Sequence, residues 1–235
     1  MSNVKTLMEK LSEEQRAVLA MKTVKRKKAE NSEEGIPVLP RNKEANSFQL
    51  SFAQQRLWFM EQFESGSSKN NFCNSYRIKG FLNIEALEYA LNKIIQRHEI
   101  WRTTFHYVQG EGMQTVAPEL QIKVETLDFR GKTEEEVYDC VEEIVEARFD
   151  LTAAPLANAI VIKVSEEEQL FLWKTHHIAN DGWSIENFVN ELEAFYRCFT
   201  QGEEVSLPEL PVQYADFSVW QRNWLKGEAL EKQIY

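Results

Sequence analysis

The stretch Phe171–Ser184, with the sequence FLWKTHHIANDGWS, joins a strand to a helix through a turn that follows two adjacent histidines. Its apolar and β-branched residues predict a strand ending at His176 and His177, and Asp181 and Gly182 are typical of a turn. Successive side chains of a strand point to opposite faces. We therefore expect one imidazole to point inward and the other across the top of the sheet, and we do not expect the pair to chelate a metal.

A histidine at a strand end can give or take a proton near neutrality, because an unperturbed imidazole has a pKa of about 6.5. Acyl transfer to an amine or a hydroxyl requires such a proton transfer. Gly182 can adopt a positive φ at little cost, and Asp181 can hydrogen-bond the turn backbone or hold a cation. The competing interpretation is structural: two histidines at a strand end that pack under an ordinary surface loop.

Three further segments accompany this stretch: LSFAQQRLWFMEQ at Leu50–Gln62, RHEIWRTTF at Arg97–Phe105 and LPVQYADFSVWQRNWL at Leu210–Leu225. With HHIANDG at His176–Gly182, they resemble in number and order the motifs of the condensation domains of nonribosomal peptide synthetases, whose signature is HHxxxDG. The resemblance covers roughly residues 50–235. It implies a fold similar to that of chloramphenicol acetyltransferase, an α/β lobe in which helices cover a mixed β-sheet.

The resemblance also implies a reaction. The amine of one carrier-tethered aminoacyl thioester would attack the carbonyl of another acyl thioester and form an amide. His177 is carried over as the catalytic residue and His176 as a supporting one, while Asp181 and Gly182 organise the loop. Arg102 is expected to form an ion pair with Asp181 that holds the loop in shape, because a buried carboxylate without a partner is costly and a guanidinium offsets much of that cost.

The same resemblance implies that the substrates arrive on the phosphopantetheine arms of peptidyl or acyl carrier proteins, so that no cofactor need bind directly to this chain. Family members have a second lobe of similar size, with the active site in a tunnel between the lobes. This chain would then be the N-terminal lobe, holding the HHxxxDG half of the site, and its partners would include the C-terminal lobe and the adjoining synthetase domains. Three alternatives stay open: an epimerisation domain, a stand-alone acyltransferase of the same superfamily, and a non-catalytic lobe that binds a carrier protein.

The composition narrows the class of protein. With 235 residues, 43% of them hydrophobic, the chain can form a packed core. A net charge of -10 argues against nucleic acid or an anionic membrane as a partner. Three cysteines without metal-type spacing fit free thiols in a reducing compartment. Because we find neither a secretory hydrophobic core nor an apolar run near the ~18 residues of a membrane span, we expect a cytoplasmic location.

The sequence pattern divides the chain into two parts. Residues 1–46 are expected to form a helical N-terminal linker or docking segment, because a helical apolar pattern over residues 4–28 leads into a charged stretch with two prolines. Residues 47–235 are expected to form the lobe.

Capping residues predict where the helices of the lobe begin. Ser51, Asn83 and Ser184 are expected N-caps, and Thr133 with Glu136 has the spacing of a capping box. The helix after Ser51 is so rich in large apolar residues that we expect it to bury most of its surface. Strands are predicted at residues 72–79, 101–108 and 122–127, a polar turn after residue 110, and a hairpin at residues 159–164 and 170–177.

Overall fold

The structure is a computed structural model that describes residues 35–44, 46–63 and 68–226. The helices expected before residue 29 lie outside these ranges. The described strands are β1 (Asn46–Gln49), β2 (Asn71–Lys79), β3 (Thr103–Val108), β4 (Glu111–Val116), β5 (Val124–Asp128), β6 (Ala157–Lys163) and β7 (Glu168–His176). The described α-helices are α1 (Phe52–Phe63), α2 (Ile84–Arg97), α3 (Glu134–Glu146), α4 (Gly182–Gln201) and α5 (Tyr214–Trp224). A 3-10 turn, Glu99–Arg102, precedes β3.

A four-stranded mixed sheet with the order β2-β7-β6-β5 forms the centre of the fold. β7 pairs antiparallel with β2 and with β6, whereas β5 runs parallel to β6. β6 and β7 form the predicted hairpin. In the register of β2 with β7, Asn71 lies opposite His176, so the start of β2 lies beside the two histidines.

Helices cover both faces of β7, and for this reason every residue of the strand after Glu168 is buried. Phe171 and Trp173 face the larger core, which α2 and α4 close, and the Trp173 ring stacks on Phe188 with 4.7 Å between centroids. Leu170 and Leu172 face a second cluster that includes residues of α3. Each such buried side chain contributes roughly 1.5 to 3 kcal/mol. The α/β prediction, helices covering a mixed sheet, is confirmed.

A second sheet, three-stranded and antiparallel with the order β1-β4-β3, was not expected from the sequence. Gln109 and Gly110 both have positive φ and form the tight turn between β3 and β4. The polar turn expected after residue 110 is therefore wrong, since residues 111–116 form a strand. Glu111 and Gly112 have low β-propensity, and antiparallel pairing with Val108 and Tyr107 of β3 overrides that preference. The predicted strand start at residue 101 is also wrong, because the 3-10 turn occupies that position.

Most of the predicted caps are confirmed. The Asn83 side chain accepts a hydrogen bond from the Ala86 N–H, and Thr133 with Glu136 forms the reciprocal capping box. The Ser51 hydroxyl accepts from the Gln54 N–H at 3.1 Å. These short-range signals succeed because a cap satisfies helix-end N–H groups with residues only a few positions away.

Helix α1 does not bury most of its surface, so that expectation is wrong. Gln54 and Trp58 are its buried residues, whereas Phe59 and Phe63 are 54% and 74% exposed. Consecutive apolar residues on a helix point in different directions, so a helix that contacts its domain along one side leaves part of such a run in solvent. An exposed group of large apolar side chains is typical of an interaction surface.

The segment that begins at Val38, before β1, belongs to the same compact unit as the two sheets and their helices. Arg41 donates from Nε and Nη2 to the Glu99 carboxylate at 2.9 and 2.8 Å, and from Nη1 to Asp216 Oδ1 at 3.0 Å. The Leu39 N–H donates to the same Asp216 oxygen at 3.0 Å. These bonds join the segment to the 3-10 turn and to α5.

The three cysteines are free thiols, and burial raises the pKa of Cys73 and of Cys140. Within residues 35–44, 46–63 and 68–226, no helix combines the length and the apolar character needed to cross a membrane.

Replacing Arg41 should destabilise the lobe. Arg41→Ala removes the guanidinium that donates to the buried carboxylates of Glu99 and Asp216, and we expect the free energy of unfolding to fall by about 1 to 3 kcal/mol. Lys43→Ala removes an exposed cation from the same segment and should change it by less than about 0.5 kcal/mol. Urea denaturation of the three chains measures both values, and equal stability of the two variants would contradict the anchoring role.

Candidate active site

His177 lies immediately beyond the end of β7 with an exposed side chain. Its backbone N–H donates to the Asn70 carbonyl at 2.8 Å, and its Nδ1 lies 2.7 Å from the Asn180 carbonyl oxygen. A carbonyl oxygen can only accept, so Nδ1 carries the proton of this bond. In the neutral imidazole, Nε2 then keeps its lone pair. The geometry holds a ring whose outer nitrogen can accept a proton.

The turn after His177 is tied back to β7. Asn180 is buried, and its Nδ2 lies 3.4 Å from Thr175 Oγ1. The Ala179 N–H donates to the His176 carbonyl at 3.0 Å. These two bonds set the position of the Asn180 carbonyl, which in turn orients the His177 ring.

His176 is 2% exposed, and its two ring nitrogens have different partners. Nδ1 accepts from the Ile178 N–H at 3.1 Å, so the ring proton lies on Nε2, which is 3.2 Å from Glu61 Oε1. Burial lowers the pKa of His176, Glu61 opposes this effect, and His177 adds to it. The expectation that one of the two histidines points inward is confirmed for His176.

Asp181 is the N-cap of α4, and Ser184 is the third residue of the helix. Asp181 Oδ1 accepts from the Ser184 N–H at 2.9 Å and from the Ser184 hydroxyl at 2.6 Å. The prediction of Ser184 as the N-cap is therefore wrong. Gly182 is the first helical residue and does not use the positive φ that is open to a glycine; among the described residues, the glycines with positive φ lie elsewhere. A Cβ at Gly182 would meet no other atom within 4 Å.

The expected ion pair between Arg102 and Asp181 is wrong. Arg102 Nε donates to the Ala117 carbonyl at 2.9 Å, and Nη1 to the Ile95 carbonyl at 3.4 Å. Its nearest carboxylate is Glu99, with 3.9 Å between Nη2 and Oε1. Burial lowers the pKa of Arg102. Because Arg102 ends a 3-10 turn instead of starting a strand, its side chain reaches neighbouring backbone carbonyls, while the Asp181 carboxylate accepts the hydrogen bonds of the helix cap.

A pocket of about 190 Å³ lies beside His177. α1 forms one wall, the loop forms another, and Tyr214 of α5 also lines it; the lining residues are Ala53, Gln54, Arg56, Leu57, His177, Ile178, Ala179, Asn180, Asp181, Ser184 and Tyr214. The Tyr214 hydroxyl lies 3.1 Å from Ser51 Oγ, and burial raises the pKa of Tyr214. A larger cavity of about 660 Å³ beside α2 contains Arg102 and neither histidine.

The sequence did not reveal the groups that hold the two rings. Glu61 lies in the motif Leu50–Gln62, in which we predicted no site residue. The Asn70 and Asn180 carbonyls act through the backbone, and residue type does not reveal backbone contacts. Among the residues that the structure describes, no group of three or more His, Cys, Asp or Glu side chains is placed to hold a metal ion.

Comparison with known proteins identifies the family. The family model described as "Condensation domain" matches residues 44–234. This chain belongs to the condensation-domain family. It is 41% identical over 203 residues to one of the linear gramicidin synthase proteins of Brevibacillus parabrevis, a match that covers 85% of this chain and 3% of that protein. It is 36% identical over 190 residues to malpinin synthetase of Mortierella alpina, which covers 80% of this chain and 2% of that protein. This member of the family thus spans a small part of these relatives.

Solved structures share its fold. The X-domain in its complex with OxyB from teicoplanin biosynthesis has a TM-score of 0.72 and 27% identity, covering 83% of this chain and 41% of that one. The first condensation domain of the CDA synthetase has a TM-score of 0.70 at 17% identity, covering 80% and 47% of the two chains. The second likeness supports the chloramphenicol-acetyltransferase-like fold and nothing finer.

Asp181 should contribute to stability as a helix cap. Asp181→Ala should lower the free energy of unfolding by about 1 kcal/mol. In double-mutant cycles Asp181 and Ser184 should couple by roughly 0.5 kcal/mol or more, whereas Asp181 and Arg102 should be additive within about 0.5 kcal/mol. Thermal or urea denaturation of the single and double variants measures these coupling energies. A larger coupling of Asp181 with Arg102 than with Ser184 would show that Asp181 and Arg102 form an ion pair after all.

The lowered pKa of His176 makes stability depend on pH. The unfolded chain, with a histidine pKa of about 6.5, binds a proton more readily than the folded one, so the free energy of unfolding should fall as the pH drops from about 6.5 toward the folded pKa. His176→Gln removes this contribution, so the parent should lose more stability than the variant in this window. Urea denaturation between about pH 7.5 and 5 tests this difference, and parallel curves would contradict it.

Proposed function

We propose that this chain is the N-terminal lobe of a condensation domain and that it contributes the HHxxxDG half of a site that forms amide bonds between carrier-bound acyl groups. The observation that carries the proposal is the bond from His177 Nδ1 to the Asn180 carbonyl in a ring that lines the pocket, which leaves Nε2 without a hydrogen-bond partner among the described residues. The family match and the synthetase relatives support the same reaction.

In this reaction the amine of an aminoacyl thioester attacks the carbonyl carbon of an acyl thioester. The new C–N bond forms, the C–S bond breaks, and the donor sulfur leaves as a thiol. His177 Nε2 accepts the proton that the amine nitrogen loses, and the resulting imidazolium stabilises the negative charge on the tetrahedral intermediate. When the C–S bond breaks, the imidazolium returns this proton to the departing sulfur, which leaves as the thiol and restores the neutral ring. Asp181 fixes the start of α4 directly after the loop. Gly182 has no side chain, so the space beside the first turn of α4 stays open.

The partners follow from the substrates. Both acyl groups would be carried on phosphopantetheine arms of carrier proteins, and no cofactor would bind directly to this chain. Because the solved neighbours are about twice as long as the matched region, we propose that the other wall of the site comes from a C-terminal lobe. The free cysteines are consistent with the proposed cytoplasmic location.

A second candidate function is a non-catalytic lobe that binds another protein. The X-domain from teicoplanin biosynthesis, at 27% identity, was solved in complex with OxyB, and the exposed apolar side chains of α1 would suit such a contact. The two candidates differ in what they require of His177: a binding lobe has no use for an open Nε2, whereas amide formation depends on it.

Replacing His177 tests the proposal. In a complete synthetase that contains this lobe, His177→Ala should slow amide formation between two loaded carriers by about 10²-fold or more, the size of general-base assistance. Binding of the carriers should stay close to the parent value. His106→Ala, in β3, is the matched control and should keep the parent rate. Single-turnover assays with radiolabelled donor and acceptor thioesters measure these rates.

Two results would contradict the proposal. Full activity of the His177→Ala synthetase would remove the catalytic role and favour the binding lobe. Efficient turnover by the 235-residue chain alone would contradict the need for a second wall, since orientation of both substrates supplies several kcal/mol of the barrier reduction.

A further inference from the structure

A carboxylate of α1 reaches the histidine pair from outside the HHxxxDG motif. Glu61 Oε1 accepts from the Asn70 side-chain Nδ2 at 2.7 Å and lies 3.2 Å from His176 Nε2. The Glu61 side chain is 16% exposed, so solvent can replace these bonds only in part. One oxygen atom thus receives two N–H groups beside the two histidines.

Through Asn70, the same carboxylate also reaches His177. The Asn70 carbonyl accepts the His177 backbone N–H at 2.8 Å. Glu61 therefore holds His176 directly, through the ring. It holds His177 indirectly, through Asn70, whose carbonyl accepts the His177 backbone N–H. Asn70 lies just before β2, so α1, β2 and β7 meet at this point.

The protonation pattern makes the two ring positions depend on each other. His176 Nδ1 accepts from the Ile178 N–H, so the remaining ring proton must lie on Nε2 and point at Glu61. Without the carboxylate, a buried N–H would have no acceptor, which is costly. The His176 ring would turn toward solvent or change tautomer, and either change would break its bond to the Ile178 N–H. Ile178 lies two residues before Asn180, whose carbonyl orients the His177 ring.

We propose that Glu61 is a positioning residue for the reaction, fixing the tautomer and orientation of His176 and, through the loop, the orientation of His177. This inference rests on the proposed function and adds a residue to it. Glu61 does not contact the open side of His177, so it touches no reacting atom. Its role is to keep the two rings in the arrangement that leaves His177 Nε2 as the proton acceptor.

The effect of Glu61 on the tautomers of His176 and His177 can be measured in this chain without any substrate. Long-range ¹H–¹⁵N spectra should show the Nε2–H tautomer for His176 and the Nδ1–H tautomer for His177 in the parent. In Glu61→Ala, the His176 signals should shift toward a mixture of tautomers and those of His177 should broaden. Glu61→Gln keeps an acceptor oxygen and should retain the parent pattern. Histidine signals of Glu61→Ala that match the parent would overturn the proposal.

The catalytic consequence is measured in the complete synthetase. Glu61→Ala should slow the single-turnover rate by roughly 10- to 100-fold with little change in KM, the size expected when a group that orients a functional histidine is removed. Glu61→Gln should restore most of the rate. Gln62→Ala, at the next and exposed position of α1, is the matched control and should behave like the parent.

The outcomes separate this inference from the proposed function. A Glu61→Gln rate as low as that of Glu61→Ala, with parent-like histidine signals, would overturn a positioning role. A loss confined to KM would also overturn it. A fully active His177→Ala synthetase would overturn the proposed function and the catalytic part of this inference together, whereas the spectra of the substrate-free chain test the hold of Glu61 on the rings separately.

Discussion

The burial of β7 on both faces fixes the position of the site. A strand packed between α3 on one side and α2 and α4 on the other cannot slide or twist without exposing Phe171, Trp173 or Leu172. A shift of one residue would also reverse which side chains meet which core. The end of the strand is therefore a fixed point, and the turn that follows starts from a rigid base with His176 held in the interior.

The site is built by hydrogen bonds to the backbone more than by ion pairs. His177 is oriented by one carbonyl and anchored through its N–H to another, and His176 receives a backbone N–H on its inner nitrogen. Such contacts cost little desolvation compared with a buried charge pair. The carboxylates at the site act locally: Asp181 caps α4, and Glu61 accepts from N–H groups. For this reason the ion pair between Arg102 and Asp181, which was expected from the motifs alone, is not the contact that holds the loop.

Away from the site, charge pairs link distant elements of the lobe. Arg41 joins the segment before β1 to Glu99 and Asp216, and Arg97 with His98 pairs with the buried carboxylate of Glu191 on α4. Burial acts to raise the pKa of Glu191, but these two partners together lower it. The clusters link elements far apart in the chain. These charge pairs hold the helices in place within the lobe, whereas apolar packing stabilises the sheet.

Elements with local signals could be predicted from the amino-acid sequence. The apolar and β-branched residues of β7 and caps such as Asn83 and Thr133 act over a few residues, and the motif order was enough to predict the family and the α/β class. The tertiary structure decided the second sheet, the exposure of α1, the partner of Arg102 and the contact of Glu61 with His176. Each of these depends on groups brought together by packing of distant segments. Residue type and spacing show what a side chain can bind, but packing sets which partner lies within reach.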